Sequence, residues 1–345
     1  MNSILHIIQY SGFACAQVTN LMLLYLIHKK AKKLFGSYRY VMAIFTTYSI
    51  LYTWIEIIAL PLMYIHGSMF IMIVDSCLRY EQTIGYHILC LYCASYALCI
   101  SLLAVQFVYR FIVVCRPHNL GQLNGWRLSL LFVPGLFFFV AWYCFVFFAM
   151  AKTAEKTEYA RDITLEVYKE DISKLAFIAL QFWDKDANGI RHFRTWDWLS
   201  YLGCLSIIGM CFSTILFCAY KIYCKLKCAH NAMSAKTKEL NKQLLITLVF
   251  QTALPFFLMY SVVGIILSLP IFELDIGRKA NFPGSTACVY PALEPLVAMY
   301  FVKDFRNALT CKSKVSTVVS NIIPMQNAPS NSQRNSVVFI NKSLI

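Results

Sequence analysis

The sequence predicts an all-α membrane protein: a seven-transmembrane helix bundle with its N terminus outside and its C terminus cytoplasmic. Three observations carry that expectation. Hydrophobic residues fill 59% of the 345 positions and charged residues only 14%, against about 45–50% and 25% in soluble domains. The apolar residues fall into seven long blocks almost free of charge, and the basic residues gather in joints that would share one face of a bilayer.

The blocks follow one another along most of the chain. Residues 1–27 contain no Asp, Glu, Lys or Arg, and residues 40–74 contain only Glu56. Residues 82–109, 128–151, 198–220 and 243–272 contain none, and residues 280–302 contain only Glu294. Each supplies the roughly 20 helical residues needed to cross about 30 Å of hydrocarbon. Helix is the expected state, because backbone in lipid must satisfy its own hydrogen bonds. A β-barrel would show alternating segments of about ten residues, and the unbroken apolar run 136–151 shows none. Helices are therefore expected near 4–27, 40–64, 86–109, 128–150, 198–220, 243–269 and 282–302, within one receptor-sized domain spanning 1–310.

Orientation follows from the joints. Residues 29–39, 110–127, 221–242 and 303–345 together hold 20 Lys and Arg but only two acids, Glu239 and Asp304. The opposite side holds 11 basic and 13 acidic residues. Lys and Arg in short loops are retained on the cytoplasmic side, which puts the N terminus outside. The net charge of +14 is thus explained by topology and by attraction to the anionic inner leaflet of the lipid bilayer, and no nucleic-acid partner is expected. The first block has no basic residue before its apolar core and five after it, the pattern of a retained helix rather than a cleaved signal.

Residues 152–197 form the long extracellular loop, whose Glu-, Lys- and Ala-rich first half suits a turn or two of exposed helix. Residues 311–345, rich in Asn and Ser, read as a disordered cytoplasmic tail. Most of the 14 cysteines fall within expected helices, where Cys acts as a small apolar residue. Cys77 and Cys288 are placed on the outer side for a candidate disulfide, and Cys311, beside the last span, is a candidate for palmitoylation.

Catalytic and metal motifs are missing: there is no HExxH, GxSxG, P-loop or dinucleotide fingerprint, and the seven histidines show no metal-ligand spacing. The expectation is a protein that is no enzyme and needs no cofactor or metal. Glu56 and Glu294 interrupt the helices, and a carboxylate at such depth faces the bundle interior, pairs, or stays protonated. Glu56 is expected either to bond Asn20 or a serine, or to face a ligand or ion. Pro255 lies in the sixth block, and Pro291 and Pro295 in the seventh; each removes a backbone hydrogen bond and can bend its helix. A concave site between bundle helices is the usual small-molecule location. Glu56, His87, Tyr96, Phe256, Tyr260 and Tyr290 are the candidate lining residues.

Several strings resemble the Str superfamily of nematode seven-transmembrane serpentine chemoreceptors, which includes candidate odorant receptors. They are Gly36-Ser37-Tyr38-Arg39-Tyr40, Phe107-Val108-Tyr109-Arg110-Phe111 with Cys115-Arg116-Pro117, and Asn241-Lys242-Gln243-Leu244. Gln251-Thr252-Ala253-Leu254-Pro255 leads into Met259-Tyr260, and Tyr290-Pro291-Ala292-Leu293-Glu294-Pro295 is followed by Lys303-Asp304-Phe305-Arg306-Asn307. The resemblance runs from about residue 5 to 310.

It implies a G-protein-coupled receptor for a small-molecule odorant or other external chemical, in the plasma membrane of a sensory-neuron cilium, with a heterotrimeric G protein as partner and oligomerisation left open. Tyr109 and Arg110 look like the inner end of the third helix that engages the G protein, with Lys242 and Arg306 beside them. An Arg at that depth is expected to snorkel to the interface. Glu294 stands where relatives often carry Asp, and Ser261 where many carry Pro. A transporter or ligand-gated channel is the rival reading. It predicts matching broken helices in the two halves, and residues 1–150 and 198–345 show no such match.

Overall fold

A computed structural model of the chain describes residues 2–31, 36–118, 125–185, 190–228 and 235–309. The charge-free blocks form helices α1 (Asn2–Leu26), α2 (Tyr38–Ala59) and α3 (Gln82–Cys115). A 3-10 stretch, Gly125–Phe132, leads into α4 (Val133–Ala149). Pro134 sits in the first turn of α4, where its missing N–H breaks no helical bond. Helix α5 (Ala154–Tyr168) lies at one end of the bundle, and α6 (Thr195–Cys228) returns through it. Helix α7 (Ala235–Pro255) runs through a π turn, Phe256–Tyr260, into α8 (Ser261–Ser268). Finally α9 (Asn281–Gly284), α10 (Thr286–Phe301) and α11 (Lys303–Leu309) complete the described chain. Among the described residues six helices are long and apolar enough to cross a membrane, and a seventh span results if residues 278–301 and 303–309, bent by 99°, count as one.

Burial sorts the helices. Residues 99–107 of α3 are all buried, the mark of a helix surrounded on every side, and α3 packs on α2, α4 and α6. Helix α4 instead exposes Leu136, Phe137, Val140 and Phe148, an apolar face suited to lipid. Asn20 of α1 ties down the proline-containing α10, its Nδ2 donating to Pro291 O at 2.9 Å.

The expected second helix, 40–64, is too long. Helix α2 ends at Ala59; Leu60 takes a left-handed conformation (φ 41°), and Pro61 opens a strand. Strands β1 (Pro61–His66) and β2 (Met69–Val74) form a hairpin, and β3 (Phe177–Gln181) pairs with β2 to give an antiparallel sheet in the order β1-β2-β3. The register sets Pro61 opposite Val74 and Ile71 opposite Ala179. Gly67 turns the hairpin at φ 50°, and any Cβ there would collide with the Tyr159 hydroxyl. A second pair, β4 (Trp183–Lys185) and β5 (Arg191–Phe193), follows in the same loop.

Alternation along the strands explains where the sheet sits. Met63, Ile65, Phe70, Met72, Ile178 and Leu180 face the bundle core. Leu62, Ile71, Ile73, Phe177 and Ala179 face away, against Ala160 of α5 with Ile172 and Leu175. The sheet is a roof buried on both faces. Full burial of each large apolar side chain contributes about 1.5–3 kcal/mol, which offsets the cost of ordering a loop.

The loop is thereby more structured than the exposed helical turns expected from its charges. Thr153 caps α5, its hydroxyl accepting from Lys156 N at 3.3 Å. Lys156 itself is buried, and Nζ donates to Asp197 Oδ1 at 2.7 Å, Ala149 O at 2.8 Å and Ala179 O at 2.9 Å. Burial lowers the pKa of Lys156, with Asp197 opposing the shift. Arg194 reaches Glu155, Asp184 and Asp197 together. The hydrogen bond and charge of Arg194 hold Glu155 below the usual carboxylate range.

The two cysteines of the candidate disulfide are free thiols in the structure. Cys77 is exposed and unpaired, while Cys288 is buried and its thiol donates to Ser285 O at 2.7 Å. Cys311 and the 311–345 tail lie outside the described residues.

Candidate functional site

Beneath the roof, the helices leave a cavity of about 60 Å³. Met63, Phe70 and Met72 of the hairpin and Ile178 of β3 close its top. Tyr96 of α3, Trp142, Val146 and Met150 around α4, Tyr201 and Cys204 of α6, and Tyr260 with Gly264 form its sides. Its wall is almost wholly apolar because the nearby hydroxyls are already engaged. Tyr260 Oη donates to Tyr96 O at 2.9 Å, the Tyr96 hydroxyl pairs with that of Tyr92 at 2.9 Å, and Tyr201 pairs with Ser268 at 2.7 Å. Among the described residues no Asp, Glu, Lys, Arg or His lines the space.

Of the six candidate lining residues, the structure brings Tyr96 and Tyr260 to this cavity. His87 points elsewhere: its Nδ1 meets the Tyr143 hydroxyl at 2.6 Å, and its ring stacks on Phe147 along the α3–α4 seam. Phe256 is exposed and meets Phe212 edge-on. Tyr290 lines a separate gap with Phe45, Tyr48, Cys99 and Met259. Glu56 is buried in another chamber and bonds neither Asn20 nor a serine. Met63, Phe70, Met72 and Ile178 were missed because the first three lie in one uninterrupted apolar block. The available signal was Pro61 followed by Gly67-Ser68 between β-prone runs, a hairpin pattern.

At the opposite end, Arg110 does not snorkel. Its guanidinium lies 3.6 Å from the centroid of the Tyr38 ring and is only 6% exposed. Tyr38 Oη donates to Gln106 Oε1 at 3.0 Å, and Tyr109 stacks on the same ring at 5.4 Å. Cation–π attraction of a desolvated Arg is worth about 2 kcal/mol, enough to hold the side chain inward. Among the described residues Nε and Nη2 of Arg110 have no hydrogen-bond partner, nor has Oε2 of Glu294, whose other oxygen accepts from Gln251. Lys242 and Arg306 are exposed at this end, Arg306 donating to Tyr300 O at 3.1 Å. Thus two of the four residues expected to meet a G protein are accessible and two are covered.

Pro255 ends the regular α-helical path of α7, and Tyr260 closes the π turn that follows. One irregular segment therefore carries both the proline and a wall of the cavity. Pro291 and Pro295 lie inside α10, and both are buried.

Residues 5–310 of the chain match the family model for serpentine type seven-transmembrane G-protein-coupled chemoreceptors, Str. The chain belongs to the Str family of serpentine chemoreceptors. This member is similar to Serpentine receptor class r-10 of Caenorhabditis elegans, 31% identical over 303 residues that cover 86% of this chain and 87% of that protein. The Caenorhabditis briggsae protein of the same name is 30% identical over 86% of this chain and 87% of its own length. The G-protein coupled receptor str-33 of C. elegans is 26% identical over 87% of this chain and 88% of that receptor. The family is one of chemoreceptors, and the helices of the bundle are those of a multi-pass membrane protein.

Proposed function

We propose that this Str receptor is an olfactory-type G-protein-coupled receptor for a small, uncharged, largely apolar external compound. It lies in the plasma membrane of a sensory-neuron cilium with seven spans, the N terminus and the β-roof outside and the C terminus inside. The observation that carries the reading is the roofed cavity. With no Asp, Glu, Lys, Arg or His among the described residues of its wall, a charged guest would lose its hydration without recompense. A water needs about 10–15 Å³ of such volume, so about 60 Å³ holds about five non-hydrogen atoms. At no more than about 1.5 kcal/mol per atom, affinity should not exceed the micromolar range.

The guest acts by favouring one helix arrangement over another, since equal affinity for both shifts nothing. Tyr260 belongs both to the cavity and to the π turn beyond Pro255, so displacement at the cavity is felt where α7 departs from regular helix. Movement of α7 then uncovers Arg110 between the basic ends of α6 and α7, and a heterotrimeric G protein docks there. Cys311 is a site for palmitoylation beside that surface.

The test is expression in a cell with a calcium or cyclic-nucleotide reporter, screened with uncharged and charged compounds of four to eight heavy atoms. Responses to uncharged compounds alone are expected. A response confined to charged compounds overturns the cavity assignment. Antibody reaching a tag on Ile345 without permeabilisation overturns the orientation and with it the G-protein role.

A further inference from the structure

The basic ends of α3 and α6 bring three cations to one seam. Cys115, the last residue of α3, donates from its thiol to Lys221 O at 3.6 Å and so joins the two helices there. One turn deeper, Phe111 of α3 and Phe217 of α6 meet with ring centroids 6.1 Å apart. Each ring carries a cation. The Arg116 guanidinium lies 5.7 Å from the Phe111 centroid, and Lys221 Nζ lies 5.7 Å from that of Phe217, within the range of cation–π attraction. Lys225 stands one helical turn beyond Lys221 on the same face of α6. The charges of Lys225, Lys221 and Arg116 all fall on the Cys115 thiol.

The protein does not answer these charges. Arg116, Lys221 and Lys225 are exposed, and among the described residues none of them pairs with a carboxylate. The basic joints contain only two acids, Glu239 and Asp304, and Glu239 Oε1 accepts from Gln243 Nε2 at 3.0 Å. Like charges gathered in this way repel one another, and a bound anion reverses the sign of that energy.

The surroundings select the anion. Just before Lys221 on α6 come Leu216, Phe217 and Tyr220, all exposed, on a helix long and apolar enough to cross the membrane. An occupant with a charged head at Lys221 and an apolar tail along α6 satisfies both environments, which a soluble anion does not. Charge selects the head. Phosphatidylserine carries a single net negative charge, whereas each phosphate monoester carries about −1.5 to −2. Arg grips a phosphate through its planar fork, and Lys acts as a point charge beside it. We propose that the α3–α6 seam binds a phospholipid whose headgroup bears phosphate monoesters, with Arg116, Lys221 and Lys225 holding the phosphates.

Such a lipid spans the two helices and clamps their ends together. The site rests on the orientation proposed above, which puts these ends at the inner leaflet. Nanodiscs offer lipid in both leaflets, so the binding test is separate from orientation, odorant and G protein. Antibody access to a tag on Ile345 in intact cells overturns the orientation and leaves the binding result standing.

The full chain in phosphatidylcholine nanodiscs is melted while exposure of its buried thiols is followed with a reactive dye. Phosphatidylinositol bisphosphate is titrated in, and phosphatidylserine is titrated in parallel at matched total charge. The expected result is a saturable rise in Tm with the bisphosphate, as for any ligand that binds only the folded state, and a smaller rise with phosphatidylserine. Lys221→Ala and Lys225→Ala should each raise the lipid fraction needed for half the effect about fivefold, while Lys221→Arg should hold it within twofold. Arg39→Ala combined with Lys303→Ala removes two cations of the same side outside the seam and should also leave it within twofold. Equal rises from the two lipids at matched charge overturn the site, as does an equal loss in the Arg39 and Lys303 control. A full rise from soluble inositol trisphosphate in phosphatidylcholine discs overturns the lipid as the source of the phosphates. All three cations are exposed, so their replacement leaves the packing of the bundle intact.

Discussion

Replacing Asp197 with Ala severs the buried joint between the outer loop and α6. All three protons of the Lys156 ammonium are committed, to Asp197 Oδ1 at 2.7 Å, Ala149 O at 2.8 Å and Ala179 O at 2.9 Å, and the side chain is 1% exposed. The carboxylate also accepts from Gln181 N at 3.0 Å and Arg194 Nε at 3.3 Å. Removing it leaves an uncompensated buried charge, at a cost of about 3–5 kcal/mol. At about 2 °C per kcal/mol for a large domain, Tm should fall by on the order of 5–10 °C. The assay is thermal exposure of buried thiols, for which Cys90, Cys99, Cys204 and Cys211 serve as reporters.

The pH dependence of the variant gives a second reading. Burial lowers the Lys156 pKa below 10.5 and Asp197 opposes it, so loss of Asp197 lowers it further. The unfolded chain then binds more protons between the folded pKa and about 10.5, and stability rises with pH through that window. Asp197→Ala should therefore gain more than wild type on going to alkaline pH. Lys156→Met with Asp197→Leu removes both charges and should recover at least half of the loss. A variant within 1 °C of wild type, or a double mutant as unstable as the two singles summed, would refute the reasoning.

Gly264→Leu should abolish the response to small compounds while leaving surface expression unchanged, because Gly264 borders the cavity and an added Cβ meets nothing within 4 Å; radioligand or reporter assays with surface labelling check this. Tyr38→Leu should raise ligand-independent signalling several-fold by releasing the Arg110 guanidinium now held 3.6 Å from the ring, and adding Arg110→Ala should silence it. Bonds from Ser173 hold Asp171 below its ordinary carboxylate range. Its cap of the 3-10 turn is present above the unfolded pKa and lost as pH falls through the lowered folded value, so exchange of the Ser173 amide should quicken there and Asp171→Ala should remove that step.

The helices were legible because charge exclusion is a one-dimensional signal: a block such as 82–109 without an acid, Lys or Arg has few other uses. The roof was not legible from that signal, because strand and helix residues are equally apolar when both faces are covered. Residues 57–74 look continuous by hydropathy, and only Leu60-Pro61 and Gly67 interrupt them in backbone terms. In the cavity, Tyr96 and Tyr260 were accessible to sequence reasoning because they recur on the inward faces of spans. Met63 and Phe70 belong to it through strand pairing, which sequence distance does not reveal. Arg110 failed for a related reason. Its depth suggested exposure, but its environment is set by Tyr38, a residue 72 positions earlier that only packing brings over it.

The sheet above the cavity also constrains the route by which a guest arrives. Both of its faces are packed, β2 is paired on both sides, and Ile65 bridges to Gly277. The cavity wall includes Leu205, which is 37% exposed on the flank of α6, with Ile208 and Val263 beside it only partly buried. On the flank between α6 and α8 only side chains stand between the cavity and the surface, whereas a path from above crosses paired strands. Compounds would then dissolve in the bilayer before they dock, and sensitivity across a chemical series would track oil–water partitioning as well as fit.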